Sequence, residues 1–225
     1  MIEVLFQYGA AVNQVNSEGW TALHLVVVHY SLPVASALLE HGADPNIQYP
    51  GGWTALLGAS AFGQIDFAKL LIKYGAAVDI QEDTGLTALN SAAKTGQMEI
   101  VKLVLQHGAT VDKPNSKGQT PLWSAVRKNH LDIVKILVDA KADVNKADHK
   151  NRTPVFTAGN LEQLLLIIAV SHNLSDMVTL LLNKGCKVGG SSTSSLLLTS
   201  LMHCDNTDLA CTIAKKEGNF GFRIQ

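Results

Sequence analysis

The chain has 225 residues, of which 47% are hydrophobic and 16% charged, with a formal net charge of −1. That composition excludes a disordered polymer, and a charge balance so near neutral supplies no global attraction to nucleic acid or membrane. The longest apolar run, Leu164 to Val170, is far short of the ~20 residues a membrane-spanning helix needs.

Taken in order, residues 1–15 read as the back half of a helical unit, with Ile2, Leu5 and Phe6 in columns filled later by Ala35, Leu38 and Leu39. The first helix of that unit is missing, so we expect a truncated start. Met1 runs straight into IEVLFQYGA, without the pattern of a secretory leader. Residues 16–48, 49–81, 82–114 and 115–147 then form four complete units with a period of 33. Gly19, Gly52, Gly85 and Gly118 make one column, and Thr21, Thr54, Thr87, Thr120 and Thr153 another. Leu23, Leu56, Leu89 and Leu122 make a third, continued by Val155. A fixed period of this length outranks other signals and implies a solenoid of stacked units.

Local chemistry explains the columns. Each Thr can cap the helix it opens, and Pro121 and Pro154 follow it where no N–H is required. Small residues at Ala59, Ala92, Ala125 and Ala158 permit close approach of neighbouring helices. Ile133, Val134, Ile136 and Leu137 share one face of a second helix. Gly42, Gly75 and Gly108 are placed to end that helix in the left-handed conformation, where Lys141 should cost about 1 kcal/mol.

The unit starts TALHLV, TALLGA, TALNSA, TPLWSA and TPVFTA, and the ends GAAVN, GADPN, GAAVD, GATVD and KADVN, resemble the ankyrin repeat. The resemblance implies an all-α solenoid of helix-turn-helix units with β-hairpin-like loops. It also implies non-enzymatic use in protein recognition, on the concave face made by turn tips and first helices. Asn46 and Asn145 resemble ankyrin asparagines that are substrates of an oxygen-dependent hydroxylase.

The fifth unit, 148–190, carries eleven extra residues. Gly159 and Asn160 within the stretch 153–163 point to a short helix, a break and a restart that reaches LLLIIAV at Leu164 to Val170. A lengthened first helix is the alternative, since eleven residues nearly preserve the apolar face. GGSSTSS follows as a loop, and residues 191–225 read as a degenerate closing unit.

A search for catalytic or metal-binding patterns is negative. Cys186, Cys204 and Cys211 form no CxxC pair, and His203 beside Cys204 lacks the spacing of a zinc module. Gly51-Gly52 and Gly189-Gly190 lack the context of a phosphate loop. His24 is expected to bond local backbone or Thr21, and His41 and His107 to sit at helix C-termini, where a cation is favoured. We therefore expect no catalytic residue, no metal, no cofactor and no small-molecule substrate. Three unpatterned cysteines suit a reducing compartment, so the expected location is intracellular, cytoplasmic or nuclear.

Charge is distributed unevenly. The first 68 residues contain no Lys or Arg, only Glu3, Glu18, Glu40, Asp44 and Asp66, whereas nine bases face four acids between Lys113 and Arg152. The variable positions of the turn tips and first helices follow suit: Trp20, His29, Trp53 and Phe62 first, then Lys94, Gln119, Arg127, Lys128 and Arg152. These nine are the candidate partner-binding residues. The partner they suit is a protein segment with an apolar anchor and acidic residues, because aromatic and Arg side chains dominate interaction hot spots and carboxylates pair well with arginine. The bases are interrupted by Asp132, Asp139, Asp143 and Asp148, which argues against a nucleic-acid binder. The expected role is an interaction scaffold or adaptor. The alternative is the recognition portion of a larger protein such as a ubiquitin-ligase substrate receptor, kinase or channel.

Overall fold

The computed structural model describes residues 8–154 together with Leu166, Ala169 and Val178. The expected half-unit helix at the start, the inserted stretch after Pro154 and the closing unit lie outside the described residues. The chain divides into two compact bodies, Met1–Ala142 and Asp143–Gln225.

The described residues of the first body are an all-α repeat solenoid of helix pairs. These are α1 (Ala22–His29) with α2 (Leu32–Glu40), α3 (Ala55–Phe62) with α4 (Ile65–Lys73), α5 (Ala88–Thr95) with α6 (Met98–Gln106), and α7 (Pro121–Arg127) with α8 (Leu131–Asp139). First helices stack on first helices and second on second, so α1, α3, α5 and α7 make one layer and α2, α4, α6 and α8 the other. Among the described residues the only strand-like pairing is an antiparallel bridge between Tyr49 and Trp53.

Each first helix begins where the threonine column predicts. The hydroxyl oxygens of Thr54, Thr87 and Thr120 accept from the N–H groups of Leu57, Asn90 and Trp123 at 3.3, 3.2 and 3.1 Å. Thr21 makes a capping box with His24. Each second helix ends at Gly42, Gly75 or Gly108, with φ of +84, +87 and +82°. The next N–H, from Ala43, Ala76 or Ala109, folds back to the carbonyls of Leu38, Leu71 and Val104 at 2.9 to 3.0 Å. Lys141 adopts the same conformation at φ +67° without the freedom of glycine. His41 and His107 set Nδ1 against the carbonyls of Ala37 and Leu103 at 2.8 and 2.9 Å, closing those helix ends.

The core lies between the layers. Leu23, Leu56, Leu89 and Leu122 are buried on the first helices, opposite Leu38, Leu71, Val104 and Leu137 on the second, and Ala59, Ala92 and Ala125 are wholly buried. Neither helix covers its apolar face alone, so stability is shared between neighbours. Polar side chains join successive repeats. Asn13 accepts from the Asp44 N–H at 2.8 Å, and Asn46 accepts from Ala77 at 2.8 Å while donating to the Gly75 carbonyl at 3.1 Å. Asp79 takes the third place in that column, accepting from the N–H and hydroxyl of Thr110. The Asn46 carboxamide is thus bonded to the next repeat on both its oxygen and its nitrogen. In the second body Leu166, Ala169 and Val178 are helical and fully buried.

Candidate functional site

Every repeat opens with a tight hairpin in which the first N–H donates to the carbonyl four residues on. The pairs are Asn16/Trp20, Tyr49/Trp53, Glu82/Leu86 and Asn115/Gln119 in the first body and Asp148/Arg152 in the second, at 2.9 to 3.1 Å. In four of the five the first side chain also accepts from N–H groups inside the loop. Asn16 accepts from Glu18 and Trp20, Asn115 from Lys117 and Gln119, and Asp148 from Lys150 and Arg152. Glu82 accepts from the Leu86 N–H and the Thr84 hydroxyl. These bonds satisfy backbone groups that the sharp turn would otherwise orphan. Burial pushes the Glu82 carboxyl up, but those bonds and the nearby Lys94 charge outweigh it and hold it below its ordinary value.

Neighbouring hairpins zip together through backbone. The Asp83 N–H donates to the Gly51 carbonyl and the Ser116 N–H to the Thr84 carbonyl, both at 2.9 Å. This close approach explains the glycine column: a Cβ at Gly85 would lie 2.6 Å from the Ser116 nitrogen, and one at Gly52 would lie 2.8 Å from that of Asp83.

Tyr49 departs from the acceptor pattern. Having no oxygen to turn inward, it lays its ring on Trp20, with centroids 4.2 Å apart and planes at 19°. The same ring meets His24 edge-on at 4.9 Å. His24 accepts at Nδ1 from the Thr21 N–H at 3.2 Å, which leaves Nε2 to donate to the Ile47 carbonyl at 2.9 Å. Burial lowers its pKa, partly opposed by the bond to Ile47. Asn90, 66 residues on in the same column, reproduces this bond by donating from Nδ2 to the Lys113 carbonyl at 2.8 Å. Trp53 is half-buried, and its bridge to Tyr49 joins it to the same aromatic group at the hairpin tips.

The ends of the first helices carry the other candidates. His29 closes α1 and Phe62 closes α3, the phenyl ring 67% exposed. Lys94 lies in the last turn of α5, and Arg127 and Lys128 end α7; all three are exposed. The Arg127 guanidinium stands 5.3 Å from the Trp123 ring centroid, a cation–π contact. Among the described residues the ion pairs are Lys102 with Glu99 and Arg152 with Asp148, so Lys94, Arg127 and Lys128 form none.

Two candidates are already engaged inside their own hairpins. Gln119 accepts from the Asn115 side-chain nitrogen at 3.2 Å. Arg152, in the second body, donates from Nε and Nη2 to Oδ2 of the buried Asp148 at 2.9 and 2.5 Å. Those bonds, together with two backbone N–H groups, hold the Asp148 pKa down at about 2. The candidates that share one exposed layer of the first body are therefore His29, Phe62, Lys94, Arg127 and Lys128, with Trp20 and Trp53 at the tips.

Three participants were not anticipated. Tyr49 carries the aromatic stack, and its signal was the interruption of a column otherwise composed of Asn16, Glu82, Asn115 and Asp148. Val28, 53% exposed, and Leu25, 40% exposed, add apolar surface on α1. Val28 was legible as the member of the 33-residue column that continues as Ala61, Lys94 and Arg127.

Among the described residues no helix is long and apolar enough to cross a membrane. No curated protein matches the chain. Family models for ankyrin repeats do: one of three copies at residues 1–82 and 56–148, and one of many copies at 122–182. With two matches that together run from residue 1 to 148 over helix pairs of the expected period, this chain belongs to the ankyrin repeat family.

Proposed function

Ankyrin repeats are generally protein–protein interaction modules, and domains built from them are typically non-enzymatic. We propose that this chain is an intracellular scaffold or adaptor that binds a protein segment across its hairpin tips and first helices. The observation that carries this reading is the change along one layer from exposed apolar groups, Val28 and Phe62, to exposed cations without ion pairs, Lys94, Arg127 and Lys128. An apolar anchor of the partner covers the first pair, and carboxylates reach the cations. Trp20 and Trp53 border the apolar half, while Gln119 and Arg152 serve through the hairpins they brace. Removing Phe62 from water on binding contributes about 1.5–3 kcal/mol. Each well-formed carboxylate bond to Arg127 adds roughly 1.5–3 kcal/mol before desolvation costs.

The test is partner recovery by the full chain against two double variants, Trp20→Ala with Trp53→Ala and Arg127→Glu with Lys128→Glu, each checked for unchanged helical circular dichroism. Loss of the same partners from both variants supports the face. An unchanged partner set in both overturns it.

A further inference from the structure

The proposed face has a fixed spacing, and spacing selects the backbone conformation of whatever lies across it. Helices packed side by side stand about 8–10 Å apart. The exposed ends of α1, α3, α5 and α7 therefore present one anchor position per repeat at that interval: Val28/His29, Ala61/Phe62, Lys94/Thr95 and Arg127/Lys128. A segment that uses successive anchors must return a side chain to the same face at the same interval. A β-strand returns one about every 6.7 Å and falls out of step within two repeats. Polyproline II has three residues per turn and rises about 3.1 Å per residue, so it returns one about every 9 Å. An α-helix comes near only at every seventh residue, over about 11 Å.

The hairpin tips decide between the last two. Trp20 and Tyr49 are stacked and half-buried, Trp53 is paired to Tyr49, and together they border the apolar half of the layer. Aromatic borders of this kind suit proline rings, and a polyproline II segment is already ordered before it binds. Charge chemistry sets the other half, since Lys94, Arg127 and Lys128 have no ion-pair partner among the described residues.

Resting on the proposed binding face, we infer that the partner is a proline-containing segment in polyproline II conformation, read one residue in three. Its apolar or proline anchors lie over Val28 and Phe62 and its carboxylates over Lys94 and Arg127. The pattern is apolar-x-x-apolar-x-x-acid-x-x-acid, in one of the two chain directions.

The experiment is selection of a random displayed peptide library on the full 225-residue chain, with the enriched pool re-tested on the Arg127→Glu/Lys128→Glu variant and on Trp53→Ala. The expected result is enrichment of prolines and acids at three-residue intervals, with binding of synthetic hits at least about tenfold weaker to both variants, a loss of about 1.4 kcal/mol. Lys94→Glu serves in place of the double variant if that one fails to fold. Enrichment of acids with a two- or seven-residue period, still lost on the charge variant, overturns the polyproline reading and leaves the face intact. A pool that binds both variants as well as wild type, or no enrichment, overturns the inference and the face together.

Discussion

Trp20 stacks on Tyr49 across the boundary between two successive repeats, ring centroids 4.2 Å apart, at the one hairpin whose first residue supplies no internal acceptor. Local bonding has been exchanged there for an aromatic surface. The exchange separates folding from binding. Tyr49→Asp restores the acceptor found at Asp148 while removing the stack, so unfolding stability should stay within about 1 kcal/mol of wild type. Partner affinity should fall by about tenfold or more, as for loss of an aromatic hot spot. Denaturant unfolding beside a binding titration checks both halves.

His24 is buried and neutral in the folded chain, and burial lowers its pKa below the ordinary 6.5. As pH falls through that value the unfolded chain takes up a proton first, so the stability His24 contributes is present above it and is lost below it. Protonation at Nδ1 would also set a donor against the Thr21 N–H. His24→Asn, copying Asn90, should flatten this slope with a change at neutral pH within about 1 kcal/mol. Thermal midpoints of both proteins over the acid range test it.

Asp148 gives the opposite residue type the same sign. Its pKa is held at about 2 against an ordinary 3.8, chiefly by the Arg152 side chain. Its stabilising contribution is therefore complete above about 4 and disappears as pH falls towards 2. Asp148→Asn should lose stability at neutral pH and show a shallower acid transition. The difference between the two urea–pH profiles isolates this one group.

Lys141 occupies the left-handed position that glycine fills in the three preceding repeats, at φ +67°. Lys141→Gly should raise stability by about 1 kcal/mol, because the side chain is exposed and only backbone strain is removed. A denaturation midpoint equal to or below wild type would contradict that account.

Gly85 tests the hairpin zipper. Any Cβ there meets the Ser116 nitrogen at 2.6 Å, and φ is +79°. Gly85→Ala should cost at least about 1–2 kcal/mol and break the bond from Ser116 to Thr84. Leu137→Ala, in the fully buried second-helix column, should cost more, about 2–5 kcal/mol. Faster hydrogen exchange at Ser116 in the glycine variant alone distinguishes the two mechanisms.

The amino-acid sequence by itself determined the helix pairs, their caps and stops, and the buried columns. Each repeat meets a near copy of itself on either side, so the same contacts recur every 33 residues and leave a periodic trace. Thr54, Gly75 and Leu137 are legible for that reason. The change from Phe62 to Lys94 and Arg127 along the first-helix ends was legible too, because those positions are the ones the period leaves free. Only the tertiary structure decided what the free positions do. Tyr49 finds Trp20 in the preceding repeat, Arg152 spends its guanidinium on Asp148, and Gln119 bonds Asn115. Such pairings depend on which two particular side chains meet across a turn or a repeat boundary. They occur once each, leave no period, and follow from packing rather than from pattern.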